Sequence, residues 1–401
     1  MNYIDFGYNC LGPLLLGYSK WLLYNFKKEN INKVYFFSRD GLIMKQAFDL
    51  INPEISIQTH YLEVSRRSLR VPILWKNYTL ENILTMVSPS KIISIKSIFD
   101  AIGLEMENYY TLIEKYNYTN NTLFNRDNIL NDYNFKAMYN ELGDDIKNNS
   151  LQEYQNLQLY IKQKELYGKF AIVDIGWSGG MQRFLQTTLK AMSINAEIYG
   201  YYTGVADYYT RNISTDNRLN LNGYLFDFSH NKNDVDCRSC FVGLYEILFL
   251  ETKGSVKKYV KQDNGIISAE RYPYEYMKDG HLLPEVQHIK ETQQGALKYV
   301  STNINIDIDF QNRFLLCKNL LDAGQKPTTE ALELFSKFRF FDEGECIPLA
   351  NPRNLLYYIV HLSEFKKDFF RSRWKTAFLR KLFKIRISYF KVYQLLKAFQ
   401  K

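Results

Sequence analysis

The stretch "AIVDIGWSGGMQRFLQ", residues 171–186, passes from an apolar strand pattern through a glycine-rich turn into a helical pattern. A short strand-to-helix connection of this kind is the building unit of a parallel sheet covered by helices. The turn carries Asp174 at its mouth and Gly176, Gly179 and Gly180 behind it. Helix N-termini present unpaired amides and a positive dipole end, and glycines let successive amides form an anion-binding nest. The same glycines also suit a bare connection with no ligand. Two phosphate motifs are excluded by spacing. No Gly-Lys-Ser or Gly-Lys-Thr follows, and the three glycines do not fall at G-x-G-x-x-G.

The rest of the chain repeats the alternation. "KVYFF" (33–37) predicts a strand ahead of "SRDG" and the helical "LIMKQAFDLI", and "SIQTHYLEV" (56–64) predicts a second. Gly12-Pro13 opens a predicted helix to about Lys28, and "AEIYGYYTGV" (196–205) is a further strand. Strands alternating with helices predict an α/β fold with a doubly wound, mostly parallel sheet, its core formed by residues 1–77 and 168–238. Residues 78–167, rich in Asn, Tyr, Leu and Ile, read as an inserted helical subdomain. Residues 239–365 read as a mainly helical hood, and 366–401 as a basic tail.

A chain with 46% apolar and 23% charged residues is globular, not disordered. Five cysteines in 401 residues form no disulfide framework, and "CRSC" (237–240) lacks the second pair of a zinc site. With no basic region ahead of the apolar run near the start, a cytoplasmic location is expected. The apolar "GPLLLGYSKWLLYNF" (12–26) is too short and interrupted to span a bilayer.

Charge is concentrated at one end. Residues 366–401 hold twelve Lys or Arg against Asp368 alone, a net +11, which leaves −3 for residues 1–365 out of the total +8. Trp374, Phe378, Leu382, Ile385, Tyr389, Val392 and Leu396 recur every three or four residues, opposite Arg373, Arg380, Lys384 and Lys391. This pattern predicts a basic amphipathic helix on an anionic membrane surface, the alternative being an apolar face packed on the body.

Candidate site residues cluster in the turns after strands. In "SRDG", Arg39 offers a planar fork suited to a diphosphate. Asp40 suits a general base, a metal ligand or simply a helix cap, and Gly41 lets the helix start tightly. Arg66, Arg67 and Arg70 in "SRRSLRVP" form either a second anion clamp or a solvated basic face. Trp177, Ser178 and Gln182 accompany the glycines of the nest. Glu246 and Glu251 would either orient sugar hydroxyls or form ion pairs.

These runs carry a resemblance. "VDIGWSGG" resembles the signature of the type I phosphoribosyltransferases, with Asp174 on its second acid, Val173 in place of the first and Met181 in place of the last Thr. "FFSRDGLIMKQA" is similar to their early diphosphate loop, with Asp40 replacing a glycine. A closer resemblance is to phosphoribosyltransferase-like domains of bacterial capsule and O-antigen gene clusters. It rests on "FGYNCLGP", "FFSRDG", "VSRRSLRVP" and "VDIGWSGGMQ", and covers residues 3–72 and 168–205.

That resemblance implies transfer of 5-phosphoribose from phosphoribosyl diphosphate (PRPP) to a hydroxyl of a polyprenyl-diphosphate-linked glycan. Diphosphate is released, Mg²⁺ assists, and the product is a β-ribofuranosyl unit once the 5-phosphate is removed. Because the sequence opens at the first transferase motif, a separate haloacid-dehalogenase-type phosphatase is the expected partner. The expected location is peripheral, at the inner face of the cytoplasmic membrane. In these terms the nest at 176–180 grips the 5-phosphate and Asp174 the ribose hydroxyls. Arg39 with one or more of Arg66, Arg67 and Arg70 holds the diphosphate, and Asp40 takes the acceptor proton. Two other classes stand beside this one. A haloacid-dehalogenase-like phosphatase with Asp40 as nucleophile would want a second Asp where Leu42 stands. A non-enzymatic PRPP-sensing or nucleic-acid-binding module would use the basic tail. Tail aromatics on a face apart from the bases favour a membrane over nucleic acid, and no nucleic-acid partner is expected.

Overall fold

Val34 and Phe36 pack into one core while Tyr35 and Phe37 pack into another, as the two-residue period of a strand requires. This strand, β1 (Lys33–Phe37), is covered on both faces, which explains its unbroken apolar run. The computed structural model describes all residues except 53–56, 88–90, 214–217, 343–344, 386 and 399–401. β1 belongs to a five-stranded, all-parallel sheet with β2 (Gln58–Leu62), β3 (Gly168–Trp177), β4 (Ala196–Val205) and β5 (Asn220–Asp227). Their order is β2-β1-β3-β4-β5, with Phe37 paired to Leu62 and Phe36 to Val173. The order reverses between β1 and β3.

Helices α1 (Gly12–Lys28) and α2 (Gly41–Ile51) cover one face through Leu15, Leu22, Phe26, Met44 and Phe48. On the other face lie α3 (Arg66–Arg70) and α4 (Gly180–Ala191), burying Leu69, Leu185 and Leu189. The predicted strands at 33–37 and 196–205 and the helix at 12–28 stand as expected. The strand expected over 56–64 spans Gln58–Leu62, residue 56 lying outside the described residues. β3 runs through Trp177, beyond the apolar run at 170–174. No sequence expectation matched β5, where Asn220, Asn222 and Gly223 dilute the apolar alternation.

Residues 78–167 do contain a separate core, built on Ile83, Ile98, Phe99, Phe135 and Met138. The insertion is not wholly helical, because Ile92–Ser94 pairs antiparallel with Leu123–Asn125. Its last helix, Gly143–Gln163, belongs to both bodies: Ile146 packs in the insertion, Leu157 and Ile161 against the sheet. The hood likewise mixes helices with antiparallel hairpins, Val256–Lys261 with Ile267–Arg271 and Arg339–Asp342 with Glu345–Pro348.

The tail differs most from expectation. It forms three helices, Leu362–Arg371, Lys375–Phe383 and Tyr389–Ala398, with Lys384 at φ 58° ending the second. Trp374, Phe378, Leu382 and Tyr389 are buried in the main core, and the Trp374 indole donates to the Gly324 carbonyl at 2.9 Å. The part of the apolar face at Trp374, Phe378, Leu382 and Tyr389, expected to meet a membrane, is thus covered by the protein itself. Ile385 stays exposed; Arg386, Lys401 and the Leu396 side chain lie outside the described residues. Among the described residues no helix is long and apolar enough to cross a membrane.

Candidate functional site

The C-terminal ends of β1 and β3 diverge where the strand order reverses, and in open parallel sheets that is where a ligand crevice forms. The chain leaving β1 makes the turn Ser38-Arg39-Asp40 before α2, with a cis peptide between Ser38 and Arg39. Ser38 Oγ donates to the Val64 carbonyl and accepts from the Val64 amide, both at 2.8 Å, which stitches this turn to the one after β2. Asp40 precedes α2 with helical φ −68° and ψ −29°, and its side chain makes no capping bond. A capping role is therefore excluded. Gly41 is buried beneath β1, where an added Cβ would meet the Phe36 backbone at 3.0 Å. Its part is to admit the helix, not to touch a ligand.

The end of β3 and the turn after it hold three residues at positive φ: Gly176 at 110°, Trp177 at 95° and Gly179 at 71°. For tryptophan this is an outlier, sustained by neighbours that over-determine it. The Trp177 indole donates to Glu246 Oε1 at 2.9 Å, and the Arg238 guanidinium stacks 3.4 Å from the ring centroid. Glu246 comes from helix α5 (Val242–Phe249). α4 then begins at Gly180, with its N-terminus at the crevice.

The resulting cavity is about 250 Å³. Arg39, Asp40, Arg66, Asp174, Glu246 and residues 176–181 line it, together with Ser38, Ser65, Tyr202 and Ser255. It brings together residues 38–40, 64–66 and 174–181 with Tyr202, Glu246 and Ser255, which the sequence holds far apart. Two of its carboxyl groups, Asp40 and Asp174, are perturbed. Asp40 is held well above the usual carboxylate range, first by burial and then by the neighbouring Asp174, with Arg39 opposing. Burial also raises Asp174, to about 6, against the Ile175 amide that donates to it at 2.8 Å and the charge of Arg66; Glu246 pushes it further up. Two carboxyls in one low-dielectric crevice resist ionising together. Such groups are matched to proton transfer at physiological pH.

Arg39 lines the crevice while pairing with Glu275 and reaching the Lys253 carbonyl at 3.4 Å. Of the three arginines after β2, Arg66 faces the crevice. Arg67 turns away to pair with Glu153 at 2.9 Å and the Gly103 carbonyl at 3.3 Å. Arg70 donates to the Met86 carbonyl at 2.6 Å. Gln182 is also structural: it donates to the carbonyls of Ile198 and Asn220 and accepts from the Tyr202 hydroxyl. Glu251 is buried, paired with Arg271 at 2.8 Å and accepting from the Tyr61 hydroxyl at 2.6 Å. Arg67, Arg70, Gln182 and Glu251 thus hold the frame instead of lining the crevice, while Ser178 lines it and Glu246 does so with no ion pair of its own among the described residues.

Ser65, Tyr202, Ser255 and Glu275 were missed by sequence reasoning. Ser65 was hidden as the N-cap of α3, accepting from the Ser68 amide at 3.0 Å. Ser255 and Glu275 arrive from the hood, and no spacing rule connects them to the sheet. Among the described residues no group of three or more His, Cys, Asp or Glu is placed to hold a metal ion. Asp40 and Asp174 are nevertheless hard oxygen donors of the kind Mg²⁺ accepts, which suits an ion drawing its other ligands from phosphate and water. No protein-family model matches this chain and no curated protein matches it, so its functional reading rests on the crevice.

Proposed function

We propose that this protein transfers the 5-phosphoribosyl group of PRPP to a hydroxyl of a glycan acceptor, releasing diphosphate. The observation that carries the reading is the convergence of Asp40, Asp174, Arg39, Arg66 and the 176–180 turn in one crevice at the β1–β3 reversal. The α4 N-terminus and the turn amides suit the 5-phosphate. Arg39 and Arg66 suit the diphosphate, and Asp174 the ribose hydroxyls. The C1–O bond to diphosphate breaks as a C1–O bond to the acceptor forms on the opposite face, inverting α to β. The acceptor's hydroxyl proton passes to the Asp40 carboxylate. An alcohol is a poor nucleophile, so a base of raised pKa is useful here.

Charge bears on the cofactor. Asp40, Asp174 and Glu246 outnumber Arg39 and Arg66, and Arg39 is already paired with Glu275. A polyanionic substrate entering that field would need a compensating cation; Asp40 and Asp174 are the residues that would hold Mg²⁺, which would supply that charge to the leaving diphosphate. Polyprenyl-linked acceptors, a partner phosphatase and peripheral membrane location belong to the same proposal, although the membrane contact would have to be made by surfaces other than the buried face of 374–389.

Mass spectrometry tests the reaction. Incubation with PRPP, Mg²⁺ and a glycan acceptor is expected to add ribose 5-phosphate and free diphosphate, with EDTA abolishing turnover. Transfer of bare ribose, or turnover with a nucleotide sugar in place of PRPP, would overturn the assignment.

A further inference from the structure

Beside the crevice lies a second cavity of about 500 Å³. Arg70, Lys76, Arg183 and Arg211 line it, and among the described residues no acidic side chain does. The guanidinium carbons of Arg70 and Arg183 stand over the same Phe184 ring, 4.1 and 4.6 Å from its centroid. Both Nε atoms are buried without a hydrogen-bond partner among the described residues. Holding like charges together in a partly buried pocket without a counter-ion is costly. Consistent with that cost, Arg70 is pushed down to about 10 by burial and by the charges of Arg66 and Arg183.

The cavity and the crevice are lined by different residues of the same two helices, α3 and α4. Arg66 and Arg70 sit on the same helix, α3, and face the crevice and the second cavity respectively. Arg183 lies one turn into α4, whose N-terminus lines the crevice. Asn212, on the loop carrying Arg211, donates to the Ser178 carbonyl at 3.0 Å, tying that loop to the nest. An anion bound here would be part of a molecule that also reaches the reacting centre.

We infer that this cavity is a diphosphate-binding site for the second substrate, separate from the crevice that holds the sugar donor. Two guanidiniums lining one cavity, joined there by Lys76 and Arg211, suit the bidentate geometry and charge of phosphate oxygens. An acceptor whose glycan is linked to a lipid through a diphosphate would place that diphosphate in the second cavity and its sugar toward Asp40. The acceptor identity rests on the transfer reaction proposed above; the anion site does not.

Calorimetry with two probes tests it on the full chain: decyl diphosphate, standing for the acceptor's head, and PRPP. For Arg183→Gln/Arg211→Gln, decyl diphosphate affinity is expected to fall by about tenfold or more, the scale of one lost charge-assisted hydrogen bond. PRPP affinity should stay within about twofold. Arg211→Gln alone, at an exposed position, gives a smaller loss in the same direction and covers the case in which the double variant fails to fold. Inorganic diphosphate is the third arm: binding it as tightly as decyl diphosphate, with the same dependence on Arg183, would mark the cavity as a product-release site and overturn the acceptor assignment. Equal loss of PRPP affinity would make the cavity part of the donor site, and unchanged decyl diphosphate affinity would remove the site altogether. If wild-type protein bound decyl diphosphate but not PRPP, the anion site would stand while the proposed reaction fell.

Discussion

The Trp177 indole N–H donates to Glu246 Oε1 at 2.9 Å, joining the turn after β3 to helix α5 of the hood. The bond holds a carboxylate over the crevice, where its charge raises both Asp174 and Asp40. Glu246→Gln keeps an oxygen to accept the indole bond and removes the charge. Both aspartates should then ionise at lower pH, moving the acidic limb of the kcat/KM profile downward. A limb that stays in place would show that Glu246 does not feel their protonation.

Gly180 and Gly179 separate ligand volume from backbone strain. A Cβ on Gly180 meets nothing closer than 3.6 Å, whereas one on Gly179 meets Leu221 at 2.7 Å on a residue at φ 71°. Gly180→Ala should fold normally and weaken PRPP binding, because the methyl occupies the phosphate's approach. Gly179→Ala should lower the melting temperature as well. Unchanged PRPP affinity in Gly180→Ala, measured by calorimetry, removes the phosphate from this turn.

Asp174 links pH to stability with a definite sign. Its folded value near 6 exceeds the ordinary 3.8, so the folded protein holds a proton that the unfolded chain releases between those values. Stability from this group is therefore fully present below the lower value and declines as pH rises toward 6. A shift of about two units corresponds to at most roughly 3 kcal/mol. Asp174→Asn should accordingly be more stable than wild type at pH 7 and indistinguishable near pH 3.5, while losing transfer. Denaturant titrations at the two pH values check it.

Arg67 and Asp40 should fail in opposite ways. Arg67→Ala strands Glu153, whose side chain is only 5% exposed, and breaking such a pair costs about 3–5 kcal/mol. PRPP affinity per folded molecule should not change. Asp40→Asn should fold, retain PRPP and lose transfer by roughly 10²-fold or more. Near-normal turnover in Asp40→Asn would send the search for the base elsewhere in the crevice.

Trp374 tests the tail. It is completely buried, so Trp374→Ala should destabilise the whole protein by about 3–5 kcal/mol. If a melting curve instead showed a stable body with a detached C-terminus, residues 374–389 would not belong to the main core.

How far the sequence alone could be read follows from the range of the forces involved. Apolar runs at 33–37 and 196–205, glycines at 176–180 and the acids beside them are local patterns. Strand period, turn conformation and helix start depend on neighbours within a few residues, so the alternating α/β plan and the two turns that line the crevice were legible. The resemblance to phosphoribosyltransferase-like domains rested on those same turns. What a side chain faces is a different question, because it depends on which distant segment arrives beside it. Arg66, Arg67 and Arg70 are nearly consecutive, yet their helix sends them to the crevice, to Glu153 and to a second cavity. Glu246 and Glu251 lie five residues apart, yet one lines the crevice and the other is consumed by Arg271. The tail's periodicity was real, but periodicity reports only that an apolar face will be buried. Tertiary packing determined that its cover is the protein's own core, because distant segments bring the Gly324 carbonyl and the main core's apolar side chains to Trp374.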